Sequence, residues 1–238
     1  DLALFGVAAY PLSRADRFEL QTTLRRYGFS AELRTDIYSD QTGELLARDK
    51  TSMDTGLEPL YLGGLSGAFV HDTSVFGATS PILGQRGRLE VGQTSGSVTY
   101  TDLLADWRAY FMPVRQATLA LRAMHYGRYG SGSNDARFGS IYLGYNSFIR
   151  GYDGIEANEC VPDATSRCPL YDRLFGNRLL VANAELRAPL WGLFRGRLDY
   201  GPLPIEIGVF ADAGVAWGGS CWTSAGGGTR ACQSDERK

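Results

Sequence analysis

The 238-residue chain has two histidines, three methionines and four cysteines, and no stretch approaches the roughly 18 consecutive apolar residues of a membrane helix. Helical membrane spans are therefore excluded. The two histidines, His71 and His125, stand far apart, and the cysteines form no C-x2-C pair, so no zinc ligand set is present. Charge of one sign is also missing: 24 basic against 26 acidic residues leave a net charge of -2, which excludes the basic footprint of a nucleic-acid binder. There is no G-x-S-x-G, H-E-x-x-H, Walker loop, dinucleotide fingerprint or EF-hand spacing, so neither an enzymatic step nor a cofactor is expected. Asp54-Thr55-Gly56 matches the short motif of aspartic proteases, whose chemistry needs two carboxylates sharing a proton. The nearest second copy, Asp72-Thr73-Ser74, is too close in sequence to come from a separate lobe, and Asp-Thr-Gly is an ordinary turn tripeptide.

What is present is glycine, aromatic residues and alternation. Thirty glycines, 12% aromatic and 44% hydrophobic residues, with no linker-like interior, indicate one folded domain over residues 1–238. Period-2 alternation recurs, whereas capped helical periodicity is hard to find. In 29–38, Phe29, Ala31, Leu33, Thr35 and Ile37 oppose Ser30, Glu32, Arg34, Asp36 and Tyr38. Phe18, Leu20 and Leu24 oppose Glu19, Gln21 and Arg25, and Leu103, Ala105, Trp107 and Phe111 oppose Asp102, Asp106 and Arg108. Later, Leu180, Ala182, Ala184 and Leu186 oppose Asn183, Glu185 and Arg187, while Ile205, Ile207 and Val209 oppose Glu206, Gly208 and Asp212. One greasy face and one polar face per strand suit either a soluble sandwich or a membrane barrel turned inside out.

Strands are expected at about 1–10, 17–38 with an offset at Gly28, 44–72 with a break near Gly56, 87–95, 99–111, 116–127, 178–190 and 203–217. The connections 11–16, 73–86, 112–115 and 191–202 then share one side. Those at 39–43, 96–98, 128–177 and from 218 onward share the other, and both cysteine pairs lie there. Cys160 with Cys168 and Cys221 with Cys232, each in polar, Gly-rich loop sequence, read as local disulfides of an oxidising compartment. No leader precedes Asp1, so the expectation is a piece of a longer polypeptide. Tyr10, Tyr27, Tyr38, Tyr100, Tyr110, Phe111, Tyr126, Trp191 and Trp217 gather near strand ends, as in a membrane girdle and equally as in many β cores.

The run Ile149-Arg150-Gly151-Tyr152 resembles the Arg-Gly-aromatic tip of the BamA/TamA superfamily of outer-membrane barrels, the bacterial surface antigens. Ala182-Asn183-Ala184-Glu185-Leu186-Arg187 is similar to the family strand with an inward glutamate, and the strand 209–217 to the one with an inward aspartate, Asp212. Asp72, Pro81 and Gly84 are similar to the family's periplasmic turn, and 76–84 with 110–115 resembles a subgroup that follows a TolB-like propeller. The resemblance implies an all-β, antiparallel transmembrane barrel whose long extracellular loop folds inward. Arg150 then acts as a structural latch on Glu185 and Asp212, with Gly151 allowing close backbone approach and Tyr152 packing across the lumen. Alternation independently places both carboxylates on polar faces.

Family barrels have sixteen strands. The eight expected here would be the sixth to thirteenth, with five strands before Asp1, three after Lys238, and any periplasmic domains lying outside the chain. Alternatively the eight close on themselves as a small barrel. The implied function is insertion or export of outer-membrane proteins, with outer-membrane lipid and unfolded clients as partners. Two other readings are a passive barrel that anchors or secretes a fused periplasmic domain, and a soluble secreted β-sandwich that binds a ligand or catalyses hydrolysis.

Overall fold

Alternation of this kind makes antiparallel ladders, because successive side chains leave opposite faces of a strand and a buried face fixes the register. In a computed structural model the described residues are 2–39, 42–53, 56–135, 137, 139–152, 173–218, 220–222 and 229–231. The chain forms β1 (Leu2–Pro11), β2 (Asp16–Tyr27), β3 (Ala31–Tyr38), β4 (Leu45–Met53), β5 (Leu60–Asp72) and β6 (Val75–Phe76). These are followed by β7 (Pro81–Gly96), β8 (Tyr100–Val114), β9 (Ala117–Tyr129), β10 (Ile141–Tyr142), β11 (Phe175–Gly176) and β12 (Arg178–Pro189). A short helix α1 (Leu190–Arg195), β13 (Glu206–Trp217), β14 (Ser220–Trp222) and β15 (Thr229–Ala231) complete the order.

The wall is an antiparallel meander in the order β1-β2-β5-β7-β8-β9-β12-β13, with β6 added alongside β7. Its polarity is inverted relative to a soluble protein. On β2, Phe18, Leu20 and Leu24 are each more than half exposed, whereas Glu19 keeps 17% of its side chain accessible. Leu65, Leu89, Val91, Phe111 and Leu186 face outward in the same way. No second sheet covers this apolar side among the described residues, which removes the sandwich alternative and fits strands facing lipid.

The inner face carries charges that bond across strands. Arg88 of β7 donates to Glu90 (2.7 Å) and reaches over Ala68 of β5 to Glu19 of β2 (2.6 Å). Farther along, Asp106 of β8 accepts from Arg108 (2.7 Å) and from Arg122 of β9 (2.9 Å). Ala68 is small enough to let the Arg88 bridge pass, and it is itself 4% exposed.

The expected strands need four corrections. The segments 17–38 and 44–72 each divide, because β3 and β4 leave the wall as their own two-stranded sheet. Alternation shifts parity between Tyr27 and Ala31, so the apolar set changes side and the ladder cannot run through. β7 begins at Pro81 rather than 87, since Pro81 and Gly84 hide the strand pattern while its main chain still pairs with β6 and β8. The last wall strand begins at Glu206, after α1 takes up part of the expected turn. Finally, β1 and β13 each pair with one neighbour and not with each other among the described residues, so these strands do not close into a small barrel.

Candidate functional site

Between β9 and β12 the chain turns at Gly130 (φ 103°) and runs back along the inner face. β10 and β11 pair as Ile141↔Gly176 and Tyr142↔Phe175, and the Leu143 N–H donates to the Leu174 carbonyl at 2.7 Å. The tip is a tight turn in which the Phe148 and Ile149 N–H groups both donate to the Tyr145 carbonyl (2.7 and 3.0 Å). It lies over β9, β12 and β13.

Arg150 Nε and Nη2 donate to the two oxygens of Asp212 (2.7 and 2.8 Å), and the Arg150 backbone N–H donates to Asp212 Oδ2 at 3.1 Å. Nη1 donates to Glu185 at 2.7 Å. The guanidinium lies 3.6 Å from the centroid of the Phe210 ring, so its faces are used as well as its edges. The Asp212 side chain is 3% accessible, against 29% for Arg150 and 30% for Glu185. A carboxylate that buried needs several donors, and Arg150 supplies three. Asp212, first through its hydrogen bonds, and Glu185 together raise the Arg150 pKa above its ordinary value.

Next to the charge sits an apolar knob. Ile149 is buried with Met124, Leu143, Leu174, Leu179 and Val181. It enters the space that a side chain on β13 would fill: a Cβ at Gly214 would stand 2.5 Å from Ile149 Cδ1. Burying an isoleucine of this kind contributes roughly 1.5–3 kcal/mol. Gly151 meets no neighbour where a Cβ would be, and it is its φ of 92° that selects glycine. The Tyr152 carbonyl accepts from Tyr142 Oη (2.8 Å), and the Tyr152 side chain packs against the Ile149 cluster.

The sequence reading therefore named Ile149, Arg150, Gly151, Tyr152, Glu185 and Asp212, and the fold brings all six to one place. It missed Asn183, whose Nδ2 donates both to the Phe148 carbonyl and to Asp212 (each 2.9 Å), and Phe210 as the ring beneath Arg150. Inward parity on β12 and β13 was the signal available for both. Arg122 of β9, already bonded to Asp106, also donates to the Ser147 carbonyl at 2.7 Å.

The turn residues form a second, separate place. Asp72 accepts from the backbone N–H and hydroxyl of Ser74, and Gly84 (φ 91°) passes so close to the chain that a Cβ would lie 2.2 Å from the Thr73 carbonyl. The turn reaches across the sheet: Arg187 Nη2 donates to the Pro81 carbonyl (2.8 Å), and Ser80 Oγ donates to Glu206 (2.7 Å). Cys160, Cys168 and Cys232 lie outside the described residues. Cys221 of β14 stands opposite Arg230 of β15 in the ladder, and its side chain is not described. Asp54 and Thr55 of the protease-like tripeptide also lie outside.

Residues 71–234, more than half of the chain, match the Omp85 superfamily domain, the domain of the BamA/TamA family. No curated protein matches the chain.

Proposed function

From its membership of the Omp85 superfamily, a group of bacterial outer-membrane β-barrel proteins of assembly and translocation type, we propose that this chain contributes to insertion or export of outer-membrane proteins, without an enzymatic step. The observation that carries the reading is the tip at Arg150, held inside a wall whose apolar side faces outward. A loop fixed within the lumen stiffens the wall from inside and keeps the pore from being an open channel at that height. Clients, outer-membrane lipid and further strands of the same polypeptide are the partners. The edges of β1 and β13, which have no strand partner among the described residues, would be costly in hydrocarbon, which favours closure by further strands, in the manner of a sixteen-stranded barrel. The match supports the barrel domain and carries nothing about a TolB-like propeller.

Arg150 is the latch in this reading. Cys160 with Cys168 and Cys221 with Cys232 are proposed as disulfides on the extracellular side, and non-reducing peptide mapping should find those two links. Cross-links between the two pairs would contradict it. Depletion of the protein should lower the steady-state amounts of other outer-membrane barrels. Unchanged amounts would leave the passive-anchor reading in place of assembly.

A further inference from the structure

The outward face of the wall is uncharged except at its two rims. By register, the outward positions of the eight wall strands carry five titrating side chains other than tyrosine, of which His125, near the loop-side rim, spends both ring nitrogens on Leu179 and Tyr129. Asp16 and His71 sit on the turn side and pair with each other at 2.6 Å. Arg26 and Arg178 sit on the side of the long loops, and neither has a carboxylate partner among the described residues. The acid and the base of the turn-side rim are thus bonded to each other, and the loop-side rim presents the two arginines.

Arg178 stands in a built setting. It opens β12, between Gly127 of β9 and Trp217 of β13. The Tyr129 ring lies over Gly127, where a Cβ would approach it to 2.8 Å, and the Arg178 guanidinium carbon is 4.6 Å from the centroid of that ring. His125 fixes the tyrosine. Its Nδ1 donates to the Leu179 carbonyl (2.9 Å), which leaves Nε2 to accept from the Tyr129 hydroxyl (2.8 Å), and Trp217 stacks on its ring at 5.8 Å. The guanidinium is thus held through its face, while its N–H edge meets no carboxylate among the described residues. Arg26 repeats the theme with Tyr61, donating to its hydroxyl at 3.3 Å.

We propose that Arg178, seated on Tyr129 and flanked by Trp217, binds a phosphate of an anionic outer-leaflet glycolipid, with Arg26 as a second contact along the same rim. The inference rests on the outer-membrane placement above. An arginine presents paired donors that match phosphate oxygens, and aromatic rings at this depth seat the acyl and sugar boundary. Phosphate at the loop-side rim and hydrocarbon below it complement the charge pattern of the wall.

The test is native mass spectrometry of the detergent-solubilised chain titrated with bisphosphorylated lipid A and with its dephosphorylated form. Wild type should bind the phosphorylated lipid about tenfold or more tightly than the dephosphorylated one, and Arg178→Gln should weaken only the former, by about fivefold. Arg178→Lys should recover only part of the affinity, since it keeps the charge but loses the paired donors and the stacking on Tyr129, and adding Arg26→Gln to Arg178→Gln should weaken it further. Equal affinity of wild type for the two lipids overturns the site while leaving the membrane placement standing, and this comparison needs no variant to fold. Wild-type lipid A affinity in a folded Arg178→Gln overturns it as well. Loss of all lipid association in wild type would instead remove the placement on which the proposal rests.

Discussion

Two bridges cross the inner side of the wall, one near each end, and they are made of different materials. On the loop side, Arg150 and Ile149 join a distant segment to β12 and β13 through charge and a buried apolar knob. On the turn side, residues 73–81 reach β12 and β13 through one main-chain carbonyl and one hydroxyl, Pro81 to Arg187 and Ser80 to Glu206. The loop bridge must hold a long segment at one position, and a multidentate arginine with a shaped hole beside it gives that selectivity. The turn bridge is tethered by β5 and β7 close by in sequence, so two single hydrogen bonds, each with one charged partner, suffice. Selectivity is concentrated where the chain has most freedom to go astray.

The contrast predicts unequal losses. Arg150→Ala should cost about 3 kcal/mol in urea unfolding from detergent micelles, because it leaves the almost inaccessible Asp212 without its main donors. Arg150→Lys should recover only part of this, since a single ammonium cannot match both carboxylates at the same angles. Stability unchanged in Arg150→Ala would remove the latch. Ile149→Ala should cost about 2 kcal/mol by emptying the space opposite Gly214. On the turn side, Gly84→Ala should cost about 1.5 kcal/mol through its positive φ and its close approach to Thr73. Ser80→Ala should cost about 1 kcal/mol. If Ser80→Ala proved as damaging as Arg150→Ala, the two bridges would not differ in kind.

The smallest effect belongs to the connection after α1. Arg195, first among its partners, holds the Asp199 carboxyl down to about 2. A depressed carboxylate stabilises above its ordinary pKa and loses that contribution as pH falls through the folded value, so this connection should weaken from about pH 4 down to about pH 2. Carboxyl NMR titration of Arg195→Gln should find the Asp199 pKa raised from its wild-type position, with Gly201 and Arg197 still holding it below the ordinary range.

Much of this could be seen before any coordinates. Parity alone turns Glu185 and Asp212 inward, and three short segments pointed to Arg150 as their partner. The parity offset near Gly28 could be read from the sequence, but not that β3 and β4 leave the wall there, because their own alternation is as regular as that of β2. What changes is which side is apolar, and that depends on the irregular backbone at 28–30. Nor could it single out Phe210, since a lone inward aromatic on a mostly apolar strand looks like any other until an arginine from far along the chain lies on its ring. The cross-sheet reach of Ser80 to Glu206 is likewise a product of sheet curvature, which no local pattern encodes.

The position of Arg150 next to Gly151 also supplies a clock. Trypsin cuts after arginine, and the docked tip engages that arginine's side chain and its own backbone N–H at once. Cleavage at the 150–151 bond therefore counts the fraction of molecules whose tip has lifted away, at the rate or population set by that opening. The wild-type chain carries its own reporter, and no label or substitution is required to read it.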